Sequence, residues 1–153
     1  MDLHIVLVAP EIPQNTGSIG RLCVNLDCRL HLVKPLGFLI DQASVRRAGL
    51  DYWQFLDLRV HDSWDAFLAS EAPQRMHFAS TKATRLYYDV AYAPGDFLVF
   101  GCETSGLPPP FYERYRDALC TIPMPGTHAR SLNLSNAVSI VAYEAYRQTV
   151  HQR

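Results

Sequence analysis

Apolar and polar positions divide the chain into segments of two distinct periods. Residues 3–9 (LHIVLVA) form a nearly unbroken apolar run, as expected of a strand buried on both faces. A rigid loop follows (Pro10-Glu11-Ile12-Pro13-Gln14-Asn15), and then a helix is predicted over residues 16–26, with Ile19, Leu22, Cys23 and Leu26 on one face. Residues 29–33 read as a second strand, stopped by Lys34-Pro35, and residues 41–50 as a helix carrying Arg46 and Arg47. A strand is expected over 57–61, and Ser63 is placed to cap a short helix through residue 69. Residues 75–79 and 96–100 read as two more buried strands, joined by a polar and aromatic connection without a clear period. A last strand is expected over 118–122 and a final helix over 134–149. In that helix Leu134, Ala137, Val138, Val141 and Ala145 make one apolar stripe, while Ile140, Tyr143 and Tyr146 add bulk on a neighbouring face. So wide an apolar girth predicts contact with a second subunit. Alternating strands and helices argue a mostly parallel α/β sheet flanked by helices, in a single domain over residues 1–153.

Composition narrows the class. With 48% hydrophobic residues and a formal net charge of -1, the chain is neither a disordered tail nor a low-complexity array. No apolar run approaches the ~18 residues of a membrane span. The first five residues lack a cationic segment before an apolar run, so a cytoplasmic protein without membrane attachment is expected. Cysteines 23, 28, 102 and 120 form no C-x-x-C pair, so free thiols and no metal site are expected. The cations are 12 Arg and 2 Lys, Lys34 and Lys82. Guanidinium suits phosphate and stacked bases, but an Arg-rich composition by itself decides nothing.

Three segments offer chemistry. Asn15-Thr16-Gly17-Ser18-Ile19-Gly20-Arg21 opens the first helix, where an anion could meet backbone N–H groups. It is neither G-x-G-x-x-G nor a Walker loop. A cap at Asn15 or Thr16, with Arg21 as a surface charge, is the simpler reading of that segment alone. Phe100-Gly101-Cys102-Glu103-Thr104-Ser105-Gly106-Leu107-Pro108 is a glycine-rich turn after a buried strand, where an open α/β sheet places its ligand. Glu103 there suits a cap, a loop tie, or an acid or base. The third is Ile122-Pro123-Met124-Pro125 with Arg130-Ser131-Leu132-Asn133-Leu134-Ser135-Asn136. No G-x-S-x-G elbow is present, which disfavours a hydrolase.

Together and in this order, the three segments resemble the SPOUT superfamily of RNA methyltransferases. The pattern is Asn15-x-Gly17-x-x-x-Arg21, then Phe100-Gly101-x-Glu103-x-x-Gly106-Leu107-Pro108, then Ile122-Pro123-Met124 with the run from Arg130 to Val138. Residues 10–17 (PEIPQNTG) and 46–52 (RRAGLDY) are most similar to the minimal branch that 2′-O-methylates the wobble nucleotide of tRNA, cytidine or modified uridine at position 34. The resemblance implies a homodimer and a deep trefoil knot within residues 75–150, against the general rarity of knots. It implies S-adenosylmethionine as cofactor, held by Ala79, Gly101, Ile122, Met124, Ser131 and Leu132 largely through main chain. Asn15, Arg21, Glu103, Ser131 and Asn133 would form the catalytic cleft, and Arg46, Arg47, His128 and Arg130 would meet tRNA, with Lys82 or Arg75 as further contacts. Arg21 is better suited to clamp a phosphate than to act as a base, because guanidinium stays protonated. Tyr52 and Trp53 fit either base stacking or the core. Cys102 and Ser105 depart from the residues common in the family, and Ser105 removes a possible phosphate contact. Methylation at another tRNA site or on rRNA, and a non-catalytic RNA-binding module, are the competing readings.

Overall fold

The computed structural model describes residues 1–40 and 52–151. The predicted helix over 41–50, with Arg46 and Arg47, therefore lies outside the described residues. Among the described residues six strands form one sheet: β1 (His4–Val8), β2 (Arg29–Val33), β3 (Asp57–His61), β4 (Met76–Ala79), β5 (Phe97–Phe100) and β6 (Leu119–Cys120). Their spatial order is β3-β2-β1-β5-β4-β6, and every pairing is parallel. Parallel strands need crossovers, which cover both faces and account for the unbroken apolar run of β1.

Helices α1 (Pro13–Leu26) and α4 (Leu134–His151) cover one face, and α2 (Trp64–Glu71) and α3 (Pro110–Arg114) the other. Strand alternation sorts the two cores. Ile5, Leu7, Leu30, Leu32, Leu98 and Phe100 meet Ile19, Leu22 and Cys23 of α1 and Val138, Val141 and Ala145 of α4. Val6, Val8, Val33, Phe97 and Val99 meet Phe67 of α2 and Phe111 of α3.

Helix α1 begins three residues before the sequence pattern placed it. Pro13 sits in the first turn, where a missing N–H costs nothing, so the loop prolines belong partly to the helix. The helix ends at Asp27, left-handed at φ 54°, where the Cys28 N–H donates to the Cys23 carbonyl at 2.8 Å. Ser63 caps α2 as expected, its hydroxyl accepting from the Ala66 N–H at 3.0 Å. The last strand is shorter than predicted, extended only by a bridge between Leu86 and Thr121. Residues 80–95, without a period of their own, are tied to α4 through Gln148. Its side-chain oxygen accepts from the Tyr92 N–H and its amide donates to the Val90 carbonyl, both at 2.9 Å. On α4, Val138, Val141, Ala142 and Ala145 are buried, whereas Tyr143 and Tyr146 remain exposed. The stripe thus fills the core, and the neighbouring aromatic face is left over. Among the described residues no helix is long and apolar enough to cross a membrane.

Candidate active site

The strand order explains where a site forms. The chain leaves β1 toward β2 on one side, while β5 lies against β1 on the other. Loops at the carboxyl ends of two such strands diverge and leave a crevice between them. The loop after β1 carries Glu11, and the loop after β5 carries Glu103 and Thr104.

These loops interlock. Glu103 accepts the Glu11 N–H at 2.8 Å, the Ile12 N–H at 2.5 Å and the Asn15 side-chain amide at 3.3 Å. Glu11 answers from the loop after β1, accepting the Thr104 hydroxyl at 2.6 Å and the Thr104 N–H at 3.2 Å. The Thr104 hydroxyl, a bond from Cys102 and the Thr104 N–H hold the Glu11 carboxyl below its ordinary range. The network runs on: the Asn133 amide donates to the Asn15 side-chain oxygen at 3.0 Å. Through its own oxygen Asn133 accepts from the Ser135 N–H at 2.9 Å and the Ser135 hydroxyl at 2.5 Å, capping the first turn of α4. Asn15, Glu103 and Asn133, distant in sequence, are one hydrogen-bonded unit.

Glycine makes the β5 loop possible. Cys102 and Gly106 exchange backbone hydrogen bonds at 3.1 Å, folding the loop back onto Gly101. A Cβ at Gly101 would lie 2.1 Å from the Gly106 carbonyl carbon, so no larger residue fits. Gly106 itself has φ 74°, a left-handed conformation that side chains disfavour. The Cys102 thiol and the Ser105 hydroxyl are 3.0 Å apart, so the two atypical residues pair with each other.

Beside this loop, at the carboxyl ends of β4, β5 and β6, opens a cleft of about 280 Å³. Ala79, Gly101, Ile122, Met124, Ser131 and Leu132 all line it, as do Glu103, Lys82, Leu134 and Ala137. The Lys82 ammonium lies 4.8 Å from the centre of the Tyr112 ring, which lines the same cleft. Buried Cys120 is not a reactive thiol: desolvation pushes it up to about 11.

Arg21 is not within this unit. It is exposed on α1, six residues beyond Asn15 or roughly 9 Å along the helix axis. Its guanidinium sits over the Tyr52 ring, 5.5 Å from the centroid. Trp53, by contrast, packs on α1, with ring carbons 3.3 Å and 3.7 Å from where a Gly20 Cβ would be. Trp53 is half-buried there, one part of its ring spent on α1. Arg75 is also committed to the fold: its Nε donates to buried Asp96 at 2.8 Å and its Nη2 to the Ala91 carbonyl at 2.6 Å. His128 and Arg130 are exposed in the loop before α4. Sequence reasoning missed Glu11 and Thr104. A carboxylate in a proline-flanked loop was visible, but its partner depends on β1 lying beside β5.

Comparison with known proteins gives this arrangement a context. The model of the SpoU rRNA Methylase family matches residues 2–143. A protein of Burkholderia ambifaria named tRNA (cytidine(34)-2′-O)-methyltransferase is 52% identical over 149 residues, covering 95% of this chain and 94% of its own. A solved structure from work on the 2′-OH methylation of C/U34 on tRNA superposes with a TM-score of 0.91. It is 47% identical and covers 99% of this chain and 97% of its own. A SpoU methyltransferase from Streptomyces viridochromogenes in complex with AdoMet superposes at 0.79 with 26% identity, covering 96% of this chain and 58% of its own.

Proposed function

The chain belongs to the SpoU rRNA Methylase family, and we propose that it transfers a methyl group from S-adenosylmethionine to the ribose 2′-hydroxyl of the wobble nucleotide, position 34, of tRNA. The observation that carries this reading is the likeness, over 95% of the chain, to a tRNA (cytidine(34)-2′-O)-methyltransferase of nearly equal length.

The cleft fits the cofactor. Ile122, Met124, Leu132 and Leu134 offer apolar walls for an adenine ring, and Gly101 lets the β5 loop fold tightly at the cleft's edge. When bound, S-adenosylmethionine supplies a methyl group on a sulfonium sulfur, open to attack by an oxygen nucleophile. Ala79, Gly101, Ile122, Met124, Ser131 and Leu132 are the residues that would hold it.

The protein's own part is orientation and proton handling. A ribose hydroxyl is a poor nucleophile and must lose its proton as the new bond forms. Glu103 already accepts three donors, so it is a positioning residue that fixes both loops, with Asn15 and Asn133 completing the frame. Arg21, permanently cationic, clamps a phosphate next to the target sugar. We assign the proton relay to the hydroxyl of Ser131, which lines the cleft. The exposed Tyr143 and Tyr146 of α4 form the contact of a homodimer, which brings a second subunit's residues to the cleft. Arg46, Arg47, His128 and Arg130 contact tRNA, in the cytoplasm, and the chain within residues 75–150 carries the trefoil knot.

The test is incubation with radiolabelled S-adenosylmethionine and tRNA lacking wobble methylation, followed by mapping of the labelled nucleotide. Label in a 2′-O-methyl group at position 34 is expected, and label confined to rRNA or to another tRNA position overturns the assignment. Arg21→Lys should retain tRNA binding while turnover falls about 100-fold, the scale of a misoriented substrate. Unchanged turnover removes Arg21 from the mechanism.

A further inference from the structure

Three histidines form a buried diagonal across β1, β2 and β3, on the face of the sheet opposite α1 and α4. The register places His31 beside Val6 and Arg59, so each histidine stands two positions further along its strand than the last. The His4 Nδ1 lies 2.9 Å from the His31 Nε2, and the His31 Nδ1 lies 3.0 Å from the His61 Nε2. At the edge of the ladder, a Glu71 carboxylate oxygen from the end of α2 reaches within 3.6 Å of the same His31 Nδ1. Neither the cleft nor the loops around it use these residues.

We propose that His31, His61 and Glu71 form a binding site for one divalent transition-metal ion of the zinc type. Their three ligand atoms all lie within 4.8 Å of one another. An ion bonded at about 2.0–2.1 Å in tetrahedral geometry spaces its ligand atoms by about 3.3 Å, between the two separations that meet at His31. Two imidazoles and a carboxylate are a common zinc set, leaving a fourth position for water.

The surroundings supply what a ligating histidine needs. Coordination through the His31 Nδ1 requires the proton on Nε2, and that N–H faces the His4 Nδ1 as acceptor. The His4 Nε2 faces the Asp2 carboxylate at 3.6 Å and the Arg29 guanidinium at 3.5 Å. Burial, opposed by Glu71, holds His31 and His61 below the usual histidine range, so both are neutral and ready to ligate. Arg59 donates to both Glu71 oxygens, at 2.9 and 3.2 Å, and fixes the carboxylate. Its own side chain is 42% exposed, so solvent screens much of its charge. His61 and Glu71 are on the outermost strand and the helix above it, the edge of the sheet. A bound ion would staple β2, β3 and α2 together.

Zn²⁺ and Co²⁺ titrated separately into the full-length, EDTA-stripped protein test this. One saturable equivalent is expected, with Co²⁺ showing the visible d–d absorption of a low-coordinate N/O site. In the wild type, Zn²⁺ should shift the imidazole nitrogens of His31 and His61 in ¹⁵N NMR, a readout that needs no variant. Glu71→Gln and His61→Gln, at the less buried end, should each weaken binding at least tenfold. No saturable binding, unmoved His31 and His61 signals, or undiminished affinity in either folded variant would overturn the site and leave a purely hydrogen-bonded ladder.

Discussion

Two glutamates separated by 92 residues illustrate what a single residue contributes. Glu103 and Glu11 each accept backbone N–H donors from the other's loop, so the carboxylates act as reciprocal clasps. Glu103→Gln keeps the size but replaces one acceptor oxygen with a donor that faces other donors. We expect kcat of the methyl transfer to fall about 10–100-fold, through misplaced loops and not through a lost base. Glu11→Ala frees the Thr104 side and should act in the same direction. Initial rates over a series of S-adenosylmethionine concentrations check this, and rates equal to wild type for both variants would refute the clasp. Glu103 was legible in the sequence as the polar residue of a glycine turn after a buried strand. Glu11 was not, because nothing local says which loop will face it.

Helices and strands were the most legible scale. Strands β2 and β3 match their predicted bounds because Lys34-Pro35 and the Ser63 cap punctuate them. The short α3 (Pro110–Arg114) escaped notice, since a proline run reads first as a loop. Ser63 permits a clean test of a local term. Ser63→Ala removes the hydroxyl that accepts from Ala66 and leaves an orphan N–H at the start of α2. It should cost about 1 kcal/mol, lowering Tm by roughly 2–4 °C, with methyl transfer at 25 °C unaffected. Thermal denaturation followed by circular dichroism measures it, and an unchanged Tm would mean that packing of Phe67 alone holds α2.

For the molecule as a whole, the buried histidine ladder predicts sensitivity to acid. Burial pushes His31 down to about 3, so it stays neutral in the fold while the unfolded chain takes up a proton near pH 6.5. A group depressed on folding stabilises above its unfolded value, and that contribution is lost as pH falls from about 6.5 toward 3. Between pH 7 and pH 5 His31 alone contributes a loss of about 2 kcal/mol, or a Tm lowered by roughly 5 °C. His4 and His61, lowered chiefly by burial, act in the same sense. Calorimetry in EDTA, which removes any bound ion, is the appropriate measurement. A Tm that holds level or rises over that interval would contradict the neutral ladder.

The sequence by itself determined most of the described elements, the fold class and the segments that line the cleft or tie the loops beside it, because periodicity, caps and glycine turns are local properties of the chain. Which loops face each other was decided only by the tertiary structure. Strand order put β5 against β1 and so joined Glu11 to Glu103, and parallel register lined up His4, His31 and His61 from three separate segments. Neighbouring residues carry no record of such pairings, because a strand's local pattern says which face is buried but not which strand will lie beside it.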